Sequence, residues 1–143
     1  MCIRDWAIIG ILAAVGTVAY TGYTASAKKN ATKSNYASTV KYVAAELKKC
    51  EIGEENVMVK GNEKLVCSTR KTGTSVSDAV EKALKDEFKN PYRTSESAIQ
   101  TSSISCSGTG EGQTAVVQSG TTITVSSCEV DGATLLSGTV TIE

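Results

Sequence analysis

WAIIGILAAVGTVAY, residues 6–20, decides how the rest of this chain is read. The run is apolar enough to enter a membrane, but it is short and carries Gly10 and Gly16. It also follows the charged pair Arg4-Asp5. Three readings compete: a removable signal peptide, a buried core helix and a retained anchor. The signal-peptide reading has a suitable apolar length and the small-x-small triplet Ala25-Ser26-Ala27 as a cleavage site. Against it, Asp5 cancels Arg4 ahead of the run, and the helical pattern continues through the supposed cut with no proline. A helix apolar on all sides must be enclosed on all sides, which a domain of this size cannot do. The anchor reading fits best. Trp6 to Tyr23 makes about 27 Å of helix, slightly less than a hydrocarbon core of about 30 Å. Small residues along it (Gly10, Ala13, Ala14, Gly16, Thr17, Ala19) permit close approach of other helices.

The same helix changes character downstream. From Lys28 the chain reads KKNATKSNYASTVKYVAAELKKC without glycine or proline. Tyr36, Val40, Val43, Leu47 and Cys50 make a narrow apolar stripe at steps of four and three, with Lys33, Lys41, Glu46, Lys48 and Lys49 assigned to the surface. Lys48 and Lys49 suit the negative end of the helix dipole, and Gly53 is the stop. The expectation is one helix from Trp6 to Cys50, roughly 65 Å long, with two halves in two different environments.

Beyond it, residues 51–74 read as an irregular connector with one short strand at Lys64–Cys67. SVSDAVEKALKDEFKNPY, residues 75–92, reads as a second helix capped by Ser75 or Ser77, with Asp78 in its first turn. Its buried face is Val80, Leu84 and Phe88, with Ala83 as an alternative, and Asn90-Pro91 ends it. From Ala98 the pattern has period two. Ala98–Gln100, Ser103–Cys106, Thr114–Val117, Thr122–Val125 and Thr139–Ile142 are short and β-branched, with glycine turns between them. The expectation is an antiparallel meander of about four strands covered by the amphipathic half-helix.

Composition narrows the function. Fifteen basic and fifteen acidic residues give no net charge, and no nucleic-acid footprint is implied. Histidine is absent, which removes the commonest general base and metal ligand and rules out a Ser/His/Asp set. No catalytic, cofactor-binding or metal site is expected. Cys50, Cys67, Cys106 and Cys128 show no Cys-x-x-Cys spacing and read as two disulfides of an exported domain. Of their three possible pairings, the neighbouring one closes the shortest loops. Asn30-Ala31-Thr32 matches a glycosylation sequon, and the Ser/Thr-rich region after Thr94 offers hydroxyls for O-linked sugars. A solvated surface explains both equally well. It also explains the acidic group Glu51, Glu54, Glu55, which lacks a calcium-loop signature. Tyr20, Tyr23, Tyr36 and Tyr42 read as packing and membrane-edge side chains, and Lys28-Lys29 as the membrane boundary.

Ala7-Ile8-Ile9-Gly10-Ile11-Leu12-Ala13-Ala14, opening a helix that bears tyrosines and then turns amphipathic, resembles the N-terminal region of type IV pilins. The pseudopilins of type II secretion systems share it. The close resemblance covers roughly residues 7–30; the remainder is similar in architecture alone. It implies an α+β pilin-like fold, a long N-terminal helix packed on a small antiparallel sheet with disulfides. Residues 1–27 would be the anchor and assembly half. Residues 28–143 would be the head: half-helix 28–50, connector and second helix 51–92, sheet 93–143. It further implies a filament subunit, held in the inner membrane as a precursor and delivered by pilus assembly machinery to an extracellular fibre. There Ala7–Gly16, Val15 included, would bundle with other copies. The alternatives are a pseudopilin, or an exported binding domain whose residues 1–27 are a signal peptide.

Two positions depart from the family pattern. Alignment on Ala7–Ala14 puts Met1 where the family carries a glutamate, and MCIRDW has neither the cleavage glycine nor the apolar character expected there. The expectation is that Met1 is not the native start and that Cys2 is foreign. With this start the chain is expected to be neither cut by the processing peptidase nor assembled efficiently. Val18 stands where many members have a proline.

Overall fold

The computed structural model describes the helical backbone from Cys2 onward and the side chains of residues 13, 14 and 16–143. The first element is the long helix α1, Cys2–Glu51, about 75 Å at 1.5 Å per residue. Its end is a Schellman motif. Gly53 adopts φ 103°, its N–H donates to Cys50 O, and Glu54 N–H donates to Lys49 O at 3.1 Å. Glycine belongs there because a Cβ would oppose the left-handed backbone.

The stripe on the second half of α1 is buried as its periodicity requires. Val43 and Leu47 are core residues, and Tyr36, Val40 and Cys50 pack against them. The face is wider than the apolar residues alone mark. Thr32, Thr39 and Glu46 lie on it too, the two threonines fully buried. Their hydroxyls donate to Lys28 O and Asn35 O within the helix, so burial leaves no donor unsatisfied. Glu46 corrects the surface assignment: it is 9% exposed, accepts the Met58 N–H at 2.6 Å and pairs with Lys49.

The connector is more ordered than its composition implies. It holds a hairpin, β1 (Asn56–Lys60) and β2 (Glu63–Val66), then a 3₁₀ turn at Cys67–Thr69. A register irregularity between Val57 and Lys60 puts two successive residues, Val57 and Met58, inside. That interruption of period two is what hides β1 from a pattern reading. Helix α2 is shorter than expected, Ser75–Leu84, with Thr74 at the N-cap position. Val76, Ser77, Val80, Ala83 and Leu84 are buried. The next residues turn instead of continuing, since Glu87 and Phe88 both donate to Leu84 O at 3.0 Å. Phe88 packs on the core edge.

The main sheet has the order β3-β4-β5-β6, with β3 Ile99–Gln100, β4 Thr114–Ser119, β5 Thr122–Ser127 and β6 Leu136–Thr141. β4, β5 and β6 form the expected meander. β3 runs parallel to β4, a correction to the all-antiparallel expectation. Residues 103–106 form no strand. Their region is tied down from outside the sheet instead, with Gly132 N–H donating to Cys106 O and Gly108 N–H to Asp131 Oδ1. The core lies between the sheet (Ile99, Val116, Ile123, Val125, Ile142), α1, α2 and the hairpin residues Val57, Met58 and Leu65.

Candidate functional site

The four cysteines pair as neighbours, Cys50–Cys67 and Cys106–Cys128, each with its Cα atoms 5.4 Å apart. The first joins the end of α1 to the end of the hairpin. The second ties the loop before β4 to the end of β5. Both lie between residues 50 and 128.

Of the assembly-helix residues, Ala13, Ala14 and Gly16 are exposed. The side chains of Ala7, Ile8, Ile9, Gly10, Ile11, Leu12 and Val15 lie outside the described residues, as does that of Cys2. The described part continues the same theme. From Thr17 to Ala31 every residue is exposed except Thr24, which is half-buried. Val18, Tyr20 and Tyr23 are 73%, 70% and 74% exposed. Val18 and the two tyrosines point to different sides of the helix, so large side chains are uncovered around its circumference, and among the described residues none packs against the core. Among the described residues no helix is long and apolar enough to cross a membrane. Within the expected span, 6–23, the side chains of residues 6–12 and 15 lie outside the described residues.

Where α1 meets the head, it is clamped. Glu129, 8% exposed, takes Lys29 and Lys33, each at 3.3 Å. Lys28 sits 5.4 Å over the Tyr92 ring, and the Tyr92 hydroxyl donates to Glu129 O at 2.6 Å. Burial first, then Glu111 and Glu129, raises the Tyr92 phenol above its ordinary value. Lys28-Lys29, expected at a membrane boundary, lie in this structure at the seam between the exposed and packed parts of α1. Nothing in the local sequence ties Glu129 to lysines a hundred residues away; only the fold does.

Asn90 is a second hub that pattern reading placed only as a helix stop. It is fully buried. Its Oδ1 accepts the Tyr92 and Arg93 N–H groups, and its Nδ2 donates to Glu111 O at 3.0 Å. Gly112, at φ 75°, passes directly against this side chain, and any Cβ there would strike it.

The remaining sequence candidates take ordinary roles. In the sequon, Asn30 is exposed but Thr32 is buried with its hydroxyl committed to Lys28 O. Glu51 pairs with Lys48 at 2.6 Å, while Glu54 and Glu55 are exposed. No group of three or more His, Cys, Asp or Glu side chains among the described residues has the placement to hold a metal ion. Tyr36 and Tyr42 pack on the core, in contrast to Tyr20 and Tyr23. Compared with protein-family models, curated proteins and solved structures, the chain matches none.

Proposed function

We propose that this chain is a structural, non-enzymatic subunit of an extracellular filament of the type IV pilin kind, polymerising through the N-terminal part of α1. The observation that carries the reading is the exposed stretch of α1, with Val18, Tyr20 and Tyr23 uncovered on a helix continuous with the packed half. A stem of this kind needs a second environment. Lipid would serve before assembly, and neighbouring stems would serve in the fibre. Burial of the large apolar side chains contributes about 1.5–3 kcal/mol each against water, and less against lipid, where packing of small residues such as Ala13, Ala14 and Gly16 decides. The inner membrane, the assembly machinery and further copies of the chain are the partners. The reading implies no nucleic acid and no cofactor.

The test is to shear surface filaments from the source cells and identify their subunits by mass spectrometry. The expected result is this chain within filaments, with residues 7–27 present and both disulfides formed. Recovery only as a soluble protein beginning at Lys28 would overturn the proposal in favour of an exported binding domain. Recovery only with a secretion apparatus, without surface fibres, would make it a pseudopilin.

A further inference from the structure

The main sheet ends on β6, and the register shows which backbone groups face outward there. Ile142 N–H donates to Thr121 O at 2.7 Å, and pairing then runs one-to-one through Ile123↔Val140, Val125↔Gly138 and Ser127↔Leu136. Bonded and non-bonded pairs alternate along an antiparallel ladder, so Leu136, Gly138 and Val140 turn their N–H and C=O groups toward β5. Ser137, Thr139 and Thr141 turn theirs away from the sheet. All three residues are exposed, and among the described residues no hydrogen bond reaches those groups.

Sheets normally protect such an edge with charges, proline, a bulge or a very short strand. β6 has none of these. It is six residues long, LSGTVT, and pairs with β5 without irregularity. β4, TAVVQS, and β5, TITVSS, are uncharged as well. The opposite edge strand, β3, has only two residues.

We propose that the free edge of β6 pairs with β6 of a second copy, antiparallel about a two-fold axis through Thr139, joining two sheets into one. The spacing of donors and acceptors along residues 137–141 matches another extended backbone one for one. A second copy is that backbone because the edge is self-complementary. With Thr139 facing its equivalent, Ser137 faces the partner subunit's Thr141, and each such pair exchanges two hydrogen bonds. Hydroxyl residues facing one another across strands are favourable neighbours. Neither edge carries a charge, so two copies approach without the repulsion that a lysine on each would cause. The contact is isologous and closed. It uses no residue of the N-terminal helix and is independent of the filament reading.

Amide exchange on the full chain in detergent micelles tests this directly, with Cys2→Ser to exclude thiol cross-links at the other end. As concentration rises, the Ser137, Thr139 and Thr141 amides are expected to slow by at least about tenfold, while the turn at Gly120 does not change. Sedimentation should show the mass doubling over the same range. Thr139→Lys, at an exposed position, is expected to restore the dilute exchange rates and the single mass; Thr139→Val should keep the pairing. Should Thr139→Lys fail to fold, Ser137→Lys makes the same test. Exchange independent of concentration would overturn the proposal. So would association that survives both lysine variants, which would belong to the N-terminal helix, or protection that needs a different added polypeptide. Loss of pairing with filaments intact leaves the proposed function standing. Pairing retained where filaments prove absent leaves this contact standing alone.

Discussion

Tyr42, Glu46 and Lys49 lie within two turns of α1 and, with Val59, line a groove of about 380 Å³ beside the hairpin. The Glu46 carboxylate holds the Met58 N–H, and Met58 is a non-glycine residue at φ 54°. Such a backbone costs roughly 1–2 kcal/mol, which this charge-assisted bond offsets. Burial first, and the negative Glu46 second, push the Tyr42 phenol up to about 12 from 10.0. The folded state thus holds this proton more tightly than the unfolded chain does. The corresponding stability is full below about pH 10 and is lost as the pH rises through about 12. Urea midpoints measured across that window should fall for the native chain and fall less steeply for Tyr42→Phe. Equal slopes would show that the phenol is not linked to folding. Charge alone marks Glu46 for the surface, yet the structure buries it. It sits three residues from Val43 and one from Leu47, on the flank of the same stripe, and the hairpin that covers it folds back over α1 only after the turn at Gly53.

Among the elements, the Cys50–Cys67 bridge spans a separation of 17 residues and holds the hairpin to the end of α1. On the chain-entropy account its removal costs about 3 kcal/mol. Cys50→Ser with Cys67→Ser should lower stability by that order in urea unfolding. It should also speed amide exchange in β1 and β2 before β4–β6 is affected; uniform acceleration throughout the head would show that the hairpin is not a separable unit. The legibility of the elements follows their physics. β5 and β6 alternate with period two, β4 is buried along most of its length, and glycine turns separate them, Gly120 adopting φ 58° at the β4–β5 turn. β1 escaped notice because Met58 interrupts its alternation. The false strand at Ser103–Cys106 has the same alternation as the real ones, but Cys106 O accepts Gly132 N–H from the turn at 131–132 rather than from a neighbouring strand. The parallel course of β3 depends on Thr114 N–H donating to Ala98 O, a long-range pairing no local pattern encodes.

For the whole molecule, the Glu129 joint is where the exposed part of α1 meets the packed part. Glu129→Gln removes the charge shared by Lys29 and Lys33. The lysines are 46% and 52% exposed, so global stability should fall by no more than about 1 kcal/mol. Amide exchange over residues 24–31 should nevertheless rise, more so in low salt than in high; no change there would show that helix propensity alone holds the joint. By itself the sequence determined the single long helix, the amphipathic character of its second half, the second helix, the β4–β6 meander and four cysteines suited to two disulfides, whose actual pairing the structure supplied. Each of these follows from local periodicity, turn chemistry or cysteine spacing. Only the tertiary structure decided that Glu46, Thr32 and Thr39 are buried and that β3 is parallel. It also decided that Asn90 and Glu129 are hubs and that β6 is left with an open edge. Those outcomes depend on which distant segment arrives to cover a side chain or to satisfy a backbone group, and that is a property of packing, not of local pattern.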